Sequence, residues 1–211
     1  MIIYQLWRTH ADDEPVVYCR RMRWQNLFAD LESQLEHEIL AEEIGIEAEE
    51  ERVRLGTLGL RDRLVALPGM SLALHLGDGQ RLALTPTLIG RDWLSGVVVG
   101  PPEQTCIVPF GAIDAVSVSG ELGRASVAAG VGGGHPLADR MGLQVVVRDL
   151  CRRRTYVRLE LRGGSVGGTI DRVGEDHCDV AVHEGGSARR ESAVREVRLV
   201  RFGALNVIRP L

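Results

Sequence analysis

The chain has 211 residues, 25 basic and 29 acidic side chains, a net charge of −4, and 45% hydrophobic but only 4% aromatic residues. Cores must therefore be built from Val, Leu, Ile and Ala, and a unit of about 60 residues with such a core is marginal alone. Four widely spaced Cys with no Cys-x-x-Cys exclude a disulfide framework and a zinc site, and no apolar run of about 18 residues exists to cross a membrane.

Residues 1–23 form an N-terminal extension without a signal-peptide pattern, because charges interrupt it early, and Met22-Arg23-Trp24 suggests a translation start at Met22. Residues 24–54 read as an acidic amphipathic helix. Trp24, Leu27, Phe28, Leu31, Leu35 and Ile39 recur at spacings of three and four, and ten acidic residues but no Lys or Arg lie between Trp24 and Glu51. Packing of the stripe, not internal ion pairing, must stabilise such a helix. From residue 52 onward the balance inverts, with 21 Arg and 16 acidic residues.

Residues 58–119 begin with a short helix, Leu60–Leu67, ended by Pro68-Gly69. Strands follow. Leu72, Leu74 and Leu76 alternate, Asp78-Gly79 turns the chain, and Leu82, Leu84 and Leu88 return with Pro86 marking an edge or bulge. Trp93 to Val99, Cys106 to Val108 and Ile113 to Val118 complete five strands. Residues 120–136 read as a Gly-rich linker; Gly132-Gly133-Gly134-His135-Pro136 lacks the Lys and hydroxyl of a phosphate loop. Residues 137–211 repeat the plan: a helix from Leu137 to Cys151, then strands at Tyr156 to Leu161, Ser165 to Val173, Asp176 to His183, Arg195 to Arg201 and Leu205 to Ile208.

The two segments are copies. Pro109-Phe110-Gly111-Ala112-Ile113-Asp114 answers Arg201-Phe202-Gly203-Ala204-Leu205-Asn206, Gly90-Arg91-Asp92-Trp93 answers Gly174-Glu175-Asp176-His177, and Arg61-Asp62 answers Arg148-Asp149. Duplication decides architecture before any local reading does. In the second copy, Gly164-Ser165-Val166-Gly167-Gly168-Thr169-Ile170 followed by Val173, Asp176 and Val180 resembles strands two and three of Sm-like proteins. That resemblance implies a mainly β fold: an N-terminal α-helix, then two tandem five-stranded Sm-like or SH3-like barrels, each preceded by a short helix, with Phe of the Phe-Gly-Ala turn plugging the barrel end. The polar pair that would bind RNA in Sm-like proteins falls on Gly174 and Cys178 here, so the resemblance carries the barrel and not the RNA chemistry. From Met22 the chain is also similar to an actinobacterial family beginning Met-Arg-Trp, with Leu27-Phe28-Ala29-Asp30-Leu31-Glu32 matching. Some members are assigned a Fis-type regulatory role, which needs a C-terminal helix-turn-helix; this C-terminus reads as strands.

Few residues suggest chemistry. Alternation along residues 176–183 puts His177, Asp179 and His183 on one strand face, where a weak metal site and plain solvent exposure predict the same pattern. No nucleophile elbow or His-Glu-x-x-His motif occurs. The expectation is a cytoplasmic, non-enzymatic protein-interaction or assembly module with no cofactor. Trp24, Leu27, Phe28, Leu31 and Leu35 would meet a protein partner or a second copy. The alternative is a nucleic-acid contact through Arg152, Arg153, Arg154, Arg158, Arg172, Arg189 and Arg190; Tyr156 is the only aromatic nearby, which gives base stacking little support.

Overall fold

Helix α1 (Pro15–Thr57) carries the acidic segment and runs unbroken through Gly45. Among the described residues its ion pairs lie at the C-terminal end, Arg52 to Glu49 and Arg54 to Glu51, where the first basic residues after Trp24 enter the sequence. The computed structural model describes residues 15–67, 69–128, 135–185 and 194–211, with side chains from residue 27 onward. α1 belongs to one compact unit, Met1–Thr57; Leu58–Leu211 form the other.

The second unit opens with α2 (Leu60–Val65), which buries Leu64 against the sheet's first core. Five strands follow: β1 (Leu72–Leu76), β2 (Arg81–Ile89), β3 (Trp93–Val98), β4 (Thr105–Pro109) and β5 (Ile113–Ser117). Helix α3 (Gly120–Ala128) occupies the first part of the segment read as a linker. After α4 (Leu143–Arg152) come β6 (Tyr156–Leu161), β7 (Gly164–Val173), β8 (His177–Val182), β9 (Glu196–Arg201) and β10 (Leu205–Pro210).

The expected pair of tandem five-stranded Sm-like or SH3-like barrels is overturned. All ten strands form one open antiparallel sheet in the order β5-β1-β2-β3-β4-β10-β6-β7-β8-β9, and helices are spread along the chain instead of standing only ahead of the strands. Closing the first half would require β4 to pair with β5, and closing the second would require β9 to pair with β10. Instead β5 pairs with β1, and β4 pairs with β10, with Ile107 opposite Ile208. The physical reason lies in these two strands. Cys106-Ile107-Val108 and Leu205-Asn206-Val207-Ile208 are near-continuous buried runs, the pattern of strands covered on both faces. Cys106 and Val108 enter the core of the first half while Ile107 enters that of the second; Val207 and Ile208 divide in the same way. The sheet therefore changes the face it buries at the joint.

The duplication holds down to single hydrogen bonds. Gly90 N–H donates to Trp93 O (2.8 Å) and Gly174 N–H to His177 O (2.9 Å); Phe110 N–H donates to Asp92 O (2.9 Å) and Phe202 N–H to Asp176 O (2.8 Å). Both Phe-Gly-Ala segments are single 3-10 turns joining the last two strands of their half. Neither glycine has a positive φ, and each Phe packs on the core of its own half, so there is no barrel end for it to plug.

Candidate functional site

In α1 every described side chain from residue 27 to residue 53 is exposed. Leu27, Phe28, Leu31 and Leu35 lie on neighbouring turns and extend to Ile39, an apolar stripe about 18 Å long at 1.5 Å per residue. Trp24 continues the helix, but its side chain lies outside the described residues. Acidic side chains flank the stripe, so its electrostatic surroundings are negative along most of its length.

Four of the described Arg residues named for nucleic acid face carboxylates. Arg152 and Arg153, at the end of α4, both donate to Asp149, at 2.8 and 2.6 Å, and these hydrogen bonds hold the Asp149 carboxyl below its usual range. Arg154 adopts a left-handed backbone (φ 55°) and reaches Asp171 at 3.0 Å. Arg172 lies 3.8 Å from Asp179. Arg158 has no ion pair among the described residues. It stands on the face of β6 opposite Val157 and Leu159, away from the core that α4 covers. Arg189 and Arg190 lie outside the described residues.

Two clefts open on the Arg158 side. One, of about 390 Å³, is lined by Tyr156, Arg158, His183, Glu184 and Arg195 among others. His183 is buried within it. Its Nδ1 donates to the Glu184 carbonyl (3.0 Å), its Nε2 accepts from the Thr169 hydroxyl (2.8 Å), and its ring meets Tyr156 edge-on at 5.2 Å. Both ring nitrogens are thus committed to the fold. His177 instead pairs with Asp176 (2.9 Å), and Asp179 with Arg172, so the three residues that strand alternation grouped do not converge. Among the described residues no three His, Cys, Asp or Glu side chains are placed to share a metal.

The other cleft, of about 480 Å³, lies between the β1–β2 turn (Asp78, Gln80) and the β6–β7 hairpin (Glu160, Arg162, Ser165). Glu160, in its lining, accepts from Arg209 at 2.6 Å, and Arg209 also donates to Gln104 at 3.3 Å. This pair ties β6 to β10 beside the joint, and sequence reading missed it. The only available signal was a charged residue in each of two strands, and nothing in the sequence set those strands side by side. The buried thiols offer no nucleophile: burial pushes Cys106 up to about 11 and Cys178 up to about 12, so both stay protonated near neutrality. No helix among the described residues is long and apolar enough to cross a membrane. No family model, curated protein or solved structure matches this chain.

Proposed function

We propose that the protein is a non-enzymatic assembly module that docks a protein partner through the α1 stripe of Trp24, Leu27, Phe28, Leu31 and Leu35. The observation that carries this reading is the exposure of Leu27, Phe28, Leu31 and Leu35 on neighbouring turns of α1. Burying four such side chains is worth roughly 6–12 kcal/mol before the costs of association, enough to hold a partner helix or groove. The flanking carboxylates favour a partner whose groove is rimmed by Lys or Arg and disfavour pairing of α1 with its own copy. The nucleic-acid alternative draws support only from Arg158 among the described members of its Arg set, because the other four face carboxylates.

The full chain carrying Leu31→Glu and Leu35→Glu tests the proposal. Native co-purification should lose the partner bound by the unsubstituted chain, while the melting of the Leu58–Leu211 unit stays unchanged. Identical partners and identical solution mass in the two chains would refute it.

A further inference from the structure

The two halves are copies, and their joint uses one edge of each. β4 ends the first half's run of strands and pairs with β10 of the second. β9 is the counterpart of β4, and β5 the counterpart of β10, because the Phe110–Ala112 and Phe202–Ala204 turns join them in the same order. Yet among the described residues β9 pairs only with β8, and β5 only with β1. We propose that copies of this chain join through these two edges: β9 of one copy pairs antiparallel with β5 of the next, repeating between molecules the joint that the chain makes within itself.

Burial at equivalent positions points the same way. Ile107 in β4 is 6% exposed, whereas its counterpart Leu199 in β9 is 68% exposed. Val207 and Ile208 in β10 are fully buried; their counterparts Ala115 and Val116 in β5 are exposed and half-buried. Each outer position has a side chain small or apolar enough to be covered as its inner counterpart is. Exposed edge strands are a liability that proteins usually block, yet here Leu199 and the neighbouring Val197 are left open on one edge.

Charge fits the register as well. The inner joint sets Ile107 opposite Ile208. The same offset sets Leu199 opposite Val116 of the next copy, and Arg201 opposite Asp114. Neither Arg201 nor Asp114 forms a salt bridge within its own chain among the described residues, and opposite charges facing each other across strands stabilise pairing. The two edges differ, so the interface is heterologous: it propagates from copy to copy and ends only if the rotation between copies closes a ring.

The test uses full chains that all carry Leu31→Glu and Leu35→Glu, so that α1 contributes no association. Leu199→Arg blocks β9 and Ala115→Arg blocks β5. Both residues are exposed in the single chain, so each variant should fold, as circular dichroism will check. Light scattering of the edge-intact chain should show mass above one chain that rises with concentration. Each variant alone should weaken association roughly hundredfold or more, since an Arg would occupy a site held dry at the inner joint. An equimolar mixture of the two variants should form a species of two chains and no larger, because one good β9 and one good β5 remain. Asp114→Arg should weaken association about fivefold, and adding Arg201→Asp in the same chain should restore it. An edge-intact chain that stays single, a variant that still assembles, or a mixture that stays single would overturn the proposal; failure of the charge swap to restore association would overturn its register.

Discussion

Replacing Gly168 by Ala tests whether the glycines of β7 serve backbone approach or backbone bending. Gly168 has no positive φ, so an Ala could adopt its conformation. Space is the obstacle. A Cβ there would lie 2.1 Å from the Ala181 carbonyl oxygen and 2.9 Å from its carbon, and both are backbone atoms of the paired strand β8. No rotamer change can relieve such a contact, so β7 and β8 must separate. Overpacking of a well-packed interior costs typically 1–3 kcal/mol, and a clash with backbone belongs at or above the top of that range. A loss of about 3 kcal/mol should lower the melting temperature of a unit this size by about 6–12 °C. Gly167 is the internal control. Its added Cβ would meet only the far end of Tyr156, at 2.4 Å from the hydroxyl, and the ring can swing away at the loss of a 3.3 Å hydrogen bond to His183 O. That loss, about 1 kcal/mol, is partly offset by the lower chain entropy of Ala. Urea unfolding followed by sheet circular dichroism should therefore show a large drop in midpoint for Gly168→Ala and a small one for Gly167→Ala. Equal midpoints, or the reverse order, would refute the close-approach argument.

Two further outcomes are expected. Arg209→Met should destabilise the chain by about 3 kcal/mol, because it leaves Glu160 charged and largely buried without its partner; the double variant Arg209→Met, Glu160→Gln should recover most of the loss in a denaturant titration. Stability should also fall as pH rises from about 9 toward 12. Folded Cys178 and Cys106 hold their protons above the ordinary thiol range of 9.0, so the unfolded chain releases protons first and gains stability relative to the folded one. Cys178→Ala should flatten that fall when unfolding free energies are compared across the window, and an unchanged slope would contradict the burial argument.

Much of the secondary structure was legible in local chemistry. Leu72, Leu74 and Leu76 alternate because one face of β1 is buried, and Asp78-Gly79 turns the chain with Gly79 at φ 83°, so both signals are written residue by residue. Pro86 marks a bulge within β2, not a sheet edge, since β2 has neighbours on both sides and the bulge absorbs the missing donor. His183 was harder. Alternation put it on a polar face, but β8 ends at Val182, and the next residue turns inward to Thr169. The carboxylates that face Arg154 and Arg172 were not legible either, because Asp171 and Asp179 reach them from other positions in β7 and β8.

The sequence by itself determined that α1 is a helix with an apolar stripe, that the rest is a duplicated unit, and where most strands and turns fall. These follow from periodicities of 3.6 and 2 and from turn chemistry, which act over a few residues. Only the tertiary structure decided whether each copy would close on itself or join the other. That choice depends on which strand edge finds which partner, a contact between Ile107 and Ile208 across a hundred residues of chain, and no local pattern distinguishes a strand paired within its own copy from one paired with its twin.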